Sequence, residues 1–142
     1  MLDMAIAITV RDLMDKDVVS IDARESVAEC VALMIRSKVW SLLVIEGGRP
    51  QGVVTERDVL RRCIGKELSP REVKVGAIMS SPLVTIGPDA TIREAMSLMV
   101  EKDVRRLYVV DGGEVIGRLT QTRLFQSNFD LMLSLSGLTG AL

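Results

Sequence analysis

Apolar residues along this chain switch between a helical and an extended rhythm, and the same order of rhythms is run through twice. Val27, Cys30, Val31, Met34 and Ile35 recur at the spacing of one helix face, and Ile92, Ala95, Met96, Met99 and Val100 repeat it. A capping box precedes each helix, Ser26 with Glu29 and Thr91 with Glu94. Short β-rich runs follow, Leu42 to Ile45 and Leu107 to Val110, each closed by a double glycine suited to a hairpin turn. The chain then re-enters an extended run that stops at Thr55 or Thr120. Closing helices are expected from near Glu56 and Gln121, the first with Val59, Leu60, Cys63 and Ile64 as apolar positions. Ahead of the first copy, Thr9 with Asp12 predicts a one-turn helix ending near Met14, and Val18 to Ile21 a strand.

Laid against itself, Val10 to Leu60 aligns with Val75 to Phe125 without a gap, always 65 positions apart. Met14/Met79, Val44/Val109, Gly52/Gly117 and Thr55/Thr120 are among the identical pairs. The fold class expected is α/β of the α+β type, two β-α-β-β-α units packed sheet to sheet about a pseudo-twofold axis, since one unit alone has too small a core. The partition is residues 1–9 as an N-terminal segment, 10–65 and 75–128 as the two domains, 66–74 as a linker and 129–142 as a helical tail. Within the linker, Ser69-Pro70-Arg71-Glu72 reads as a further capped helix start. The tail presents Phe129, Leu131, Met132, Leu133 and Leu135, either to a partner or folded back on its own domain.

Composition narrows the function more than it shapes the fold. Of 142 residues, 48% are hydrophobic and 26% charged, and the net charge is −1, so no nucleic-acid footprint is expected. Histidine is absent and the two cysteines lack a ligand spacing, which leaves no metal site and no ordinary general base. No stretch has the length and apolarity of a membrane span, and the opening residues lack the basic leader of a signal peptide. The expectation is a cytoplasmic, non-catalytic protein.

The strand-to-helix corner Gly52-Val53-Val54-Thr55-Glu56-Arg57-Asp58 carries the chemistry. By spacing alone Thr55 and Asp58 form a capping box. Arg57, Arg61 and Arg62 read as the solvated face of the closing helix. In the copy, Arg123 stands where the acid should be.

The tandem unit with its Gly-apolar-apolar-Thr-x-x-Asp ending resembles the CBS domain, named after cystathionine beta-synthase, two of which form a Bateman module. The resemblance covers Val10 to Phe125 and implies a regulatory module that binds an adenosine-containing ligand in the cleft between the two sheets, often as a homodimer. Carried onto this sequence, it makes Asp58 the acceptor of the ribose hydroxyls and puts Thr55 beside ribose or phosphate. Arg57 lies close enough to that motif to join the site. Val18, Ser20, Val39 and Ser41 would face the base, Trp40 would wall its pocket or serve as core or dimer contact, and Arg105 and Arg106 would meet phosphate or else surface acids. Arg123 cannot accept a hydrogen bond, so the second site is expected to be plugged by it or to offer it to a phosphate, leaving one nucleotide site per chain. AMP, ADP or ATP are the expected ligands, with S-adenosylmethionine and NAD ranked after them. No cofactor is required, and the effector protein is unknown. The competing expectation is a ligand-free homodimerisation scaffold.

Overall fold

The computed structural model describes residues 8–137. The first seven residues of the expected N-terminal segment and the last five of the tail lie outside them. Chain order is α1 (Val10–Leu13), β1 (Ser20–Asp22), α2 (Val27–Ser37), β2 (Ser41–Glu46), β3 (Arg49–Thr55), α3 (Glu56–Arg62), a 3-10 turn (Ile64–Lys66), α4 (Val75–Ile78), β4 (Thr85–Ile86), α5 (Ile92–Lys102), β5 (Arg106–Asp111), β6 (Glu114–Thr120) and α6 (Gln121–Ser136). The secondary structure follows the two rhythms of the sequence: β1-β2-β3 and β4-β5-β6 are separate three-stranded sheets.

In each sheet the first strand runs parallel to the second, which requires the intervening helix as a crossover, and the third returns antiparallel through the glycine hairpin. Gly47 and Gly48 have φ of 58° and 76°, the left-handed pair that a two-residue hairpin needs. Alternation along β2 and β3 then sends Leu42, Val44 and Val54 into a core with Val27, Cys30 and Met34 of α2 and Val59 of α3. Leu107, Val109 and Leu119 do the same with Ala95, Met99 and Leu124.

The repeat in the sequence and the unit in space are offset. One compact unit is contiguous, residues 18–83, and the other is split, assembled from the chain up to Asp17 and from Val84 onward. The one-turn helix that opens each repeat therefore belongs to the unit built from the other. Val75 and Ile78 of α4 are buried in the core of the contiguous unit, where Val75 and Gly76 donate to the carbonyls of Glu25 and Ala23 at 2.9 Å each. Val10 of α1 is buried in the split unit, where Val10 and Arg11 donate to Ala90 and Pro88, again at 2.9 Å. The boundaries 10–65 and 75–128 follow the repeat, whereas the cores cut the chain at 17/18 and 83/84.

The linker departs from expectation. Glu72 and Val73 both donate to the Ser69 carbonyl, and no helix grows from that turn. The carbonyls of Pro70 and Val73, which a helix would need, are taken by the Ala28 and Val27 N–H groups at the start of α2, at 2.8 and 2.9 Å.

Just past each one-turn helix the backbone forms a reciprocal pair with the last strand of its sheet. Val53 donates to Ser80 at 3.0 Å and Ser80 returns a bond at 2.8 Å; Arg118 and Asp15 exchange two bonds of 2.8 Å. So close an approach requires the glycine one residue earlier. A Cβ on Gly52 would collide with the Ser80 carbonyl oxygen, and one on Gly117 would sit 2.5 Å from the Met14 sulfur.

The two glycines therefore should not respond alike to alanine. Gly52→Ala forces backbone apart and is expected to cost about 3 kcal/mol, whereas Gly117→Ala meets mainly a flexible thioether and should cost about 1 kcal/mol, measured by urea unfolding. Cys30 supplies a second test. Burial, with Asp58 nearby, pushes its thiol from 9.0 up to about 11. The folded state favours the neutral thiol, so its contribution is full below pH 9 and is lost as pH rises toward about 11. Cys30→Ala should flatten stability over that window relative to wild type, and native Cys30 should resist alkylation at pH 8.

Candidate functional site

Thr55 ends β3 in extended geometry and caps α3, accepting the Asp58 N–H on its hydroxyl at 3.2 Å. Asp58 returns the interaction, its Oδ2 accepting the Thr55 N–H at 3.0 Å and the Thr55 hydroxyl at 3.2 Å. Oδ1 accepts the Ser80 hydroxyl at 3.0 Å and lies 3.9 Å from Arg62 Nε. Asp58 is only 6% exposed. The result is a buried carboxylate at the positive end of a helix, with both oxygens engaged by its own unit and acceptor capacity left on Oδ1.

Ser80 and Arg62 are the members of this cluster that the sequence reading missed. Arg62 is not on a solvated face: its Nη1 donates to the carbonyls of Ile78 and Met79 at 3.1 and 2.9 Å, tying α3 to the end of α4. The repeat held a signal for Ser80, since it follows α4 as Asp15 follows α1, but only the crossing of β3 by residues 79–80 brings it to Asp58. Arg57 is exposed, as expected of that helix face.

The other residues of the contiguous unit divide between surfaces. Ser41 is buried and pairs with Thr55 across β2 and β3, and Ser20 pairs with Leu43. By alternation with the core-facing residues, Ser20, Ser41, Leu43, Val53 and Thr55 share the sheet face opposite the helices. Val18 is half-buried just before β1, one residue from the core-packed Val19. Val39 packs against the helical core instead. Trp40 is 57% exposed, and its carbonyl receives the Glu56 N–H at 3.1 Å, which places it where α2 ends and α3 begins.

The split unit repeats the geometry with different chemistry. Thr120 caps α6 through the Arg123 N–H at 3.2 Å, but no carboxylate answers. Arg123 is exposed, and its Nε donates to the Leu13 carbonyl at 3.4 Å, the α1 counterpart of the Arg62 bond to Ile78. The adjacent arginines part company: Arg105 is exposed beside α5 and α6, while Arg106 is half-buried and cross-strand from Thr120. Arg118, also missed in the sequence, is paired with Tyr108 across the same strands and lies 3.8 Å from Asp15 with its side chain 13% exposed. This sheet face carries Arg106, Tyr108 and Arg118 where the first copy has Ser41, Leu43 and Val53. Among the described residues no cluster of His, Cys, Asp and Glu could hold a metal ion, and no helix is long and apolar enough to cross a membrane.

Comparison with known proteins agrees with this architecture. The model of the CBS domain matches twice, at residues 10–65 and 75–128. An uncharacterized protein of Methanopyrus kandleri is 32% identical over 122 residues, covering 84% of this chain and 62% of that protein. The chain thus spans less than two thirds of that archaeal relative. A putative signal-transduction protein with CBS domains from Burkholderia ambifaria superposes with a TM-score of 0.80 at 29% identity, over 84% of this chain and 93% of the other. A hexameric CBS-CP12 protein from bloom-forming cyanobacteria gives 0.78 at 26% identity, over 84% and 67%. With both repeats matched and the same fold in these structures, the chain belongs to the CBS domain family as a tandem pair.

Proposed function

We propose that the chain is a non-catalytic sensor module that binds an adenosine-containing ligand, AMP, ADP or ATP ahead of S-adenosylmethionine or NAD, and signals to an effector protein as a self-associated assembly. The observation that carries this reading is the buried Asp58 carboxylate at the N-terminus of α3, beside the half-buried Thr55. Vicinal ribose hydroxyls are paired donors, and a carboxylate is acceptor-only, so ligand hydroxyls can take the place of the Ser80 and Thr55 donors without a change of charge. The Ser80 hydroxyl at 3.0 Å already occupies the position such a donor would take. The split unit has no acceptor at this corner, so the nucleotide reading rests on the contiguous unit and expects one ligand per chain. Similarity to a signal-transduction protein supports the regulatory role, and the hexameric relative supports self-association.

Binding acts as a signal only if the ligand favours one arrangement of the protein over another by a real free-energy difference. A specific observation also favours the alternative, a ligand-free scaffold: both Asp58 oxygens are satisfied by their own unit, as a purely structural cap would be.

Calorimetry separates the two. Asp58→Ala should weaken adenine-nucleotide binding about ten- to a hundredfold, through loss of charge-assisted hydrogen bonds. Because Asp58 also closes the capping box and holds Ser80, the same variant should lose about 1 to 2 kcal/mol of stability, so binding must be measured well below its melting point. Ser80→Ala is expected to leave nucleotide affinity equal to wild type or tighter, since it frees an acceptor. Absence of binding heat with every adenine nucleotide tested, alongside intact folding, would favour the scaffold.

A further inference from the structure

The outer helices of the two units present apolar residues at matching positions. Ile35, Leu60 and Ile64 are exposed on the contiguous unit, and Val100, Phe125 and Phe129, each 65 positions later, are exposed on the split unit. Val100 is 82% and Phe125 73% exposed. Retention of large apolar groups at the same solvent-facing positions in both copies marks a covered surface.

What surrounds those positions differs in sign. On the contiguous unit the exposed neighbours are Arg36, Lys38, Arg57 and Arg61; the matching residues on the split unit are Glu101, Asp103, Thr122 and Gln126. Four cations around one apolar patch thus correspond to two anions and two neutral groups around the other. Arg36 lies 3.7 Å from Glu29, and Lys102 and Arg105 remain on the split side, so neither patch is of a single sign, but the excess is opposite.

Shape differs in the same complementary sense. In the split unit a groove of about 520 Å³ lies between α5 and α6, with Met99 and Leu124 of the core along it and Val100, Asp103 and Phe125 at its sides. Arg105 lines this groove at the start of α6, where its carbonyl receives the Gln121 N–H at 2.8 Å. The matching place in the contiguous unit holds Trp40, 57% exposed, between Ile35 and Leu60 in the repeat register. One unit offers an aromatic knob in a basic surround and the other an apolar groove with an acidic edge.

We propose that this chain self-associates head to tail: the α2–α3 face of one copy, led by Trp40, seats in the α5–α6 groove of a second copy. Pairing like with like would set four cations against four cations, whereas unlike pairing sets Arg57 and Arg61 toward the acidic side. This inference rests on the self-association part of the functional reading and is independent of any nucleotide.

Sedimentation equilibrium on the full chain tests it with charge reversals at exposed positions. Arg57→Glu with Arg61→Glu, and separately Glu101→Lys with Asp103→Lys, should each weaken assembly about tenfold or more, and the chain carrying all four changes should return to within about threefold of wild type. Trp40→Ala should weaken assembly about tenfold or more. Under like-with-like pairing, reversing one patch merely exchanges one repulsive set for another. Wild-type affinity in both double variants and in the fourfold variant would therefore overturn the head-to-tail pairing while leaving self-association standing. A wild-type chain that stays monomeric at high micromolar concentration would overturn the pairing together with the self-association reading.

Discussion

A pair of reciprocal backbone hydrogen bonds, made once in each unit, holds together everything that is distinctive about this fold. The segment leaving each one-turn helix runs against the last strand of a sheet, at Ser80 with Val53 and at Asp15 with Arg118. Strand edges need their N–H and C=O groups satisfied, and here a passing segment does it over a single residue. That crossing fixes a glycine in the strand, draws α4 and α1 into their cores, and brings Ser80 onto the Asp58 carboxylate. Without the crossing, Asp58 would be half of an ordinary helix cap.

Much of this was legible from periodicity. The i, i+3, i+4 spacing of Val27 to Ile35 and the capping boxes before it gave α2 nearly to the residue, because local hydrogen bonding and one apolar face decide both. What stayed hidden was decided by distant segments. Arg62 looked like a surface cation because the carbonyls it binds are those of Ile78 and Met79, which only the fold of α4 delivers. The pattern at Ser69 and Pro70 promised a helix, and tertiary demand for the same carbonyls from α2 overrode it. Two adjacent arginines read as one feature, but strand alternation sends Arg105 and Arg106 to different surroundings.

The second copy shows how an acid can be dispensed with. In the contiguous unit Arg62 secures the carbonyl end of α4, one helical turn after the acid. In the split unit Ser127 stands at the position of Arg62 and offers no such reach, and Arg123 performs that duty from the position of Asp58. A cation there is ill suited to a helix N-terminus, but the helix-end carbonyl of Leu13 offsets part of that cost. The substitution therefore has a structural reason independent of any ligand.

The split of one unit around the other also orders events on the ribosome. Val53 and Ser80 are 27 residues apart (80 − 53 = 27), whereas Asp15 and Arg118 are 103 apart (118 − 15 = 103). As the chain emerges from its N-terminus, the contiguous unit has all of its strands and both of its helix ends before β4 has been made. The segment through α1, by contrast, must wait with Val10 unburied until β6 arrives, and its closure spans a far longer loop. Vectorial synthesis thus gives this protein an early half and a late half, and an apolar N-terminal stretch left without its partner in the interval.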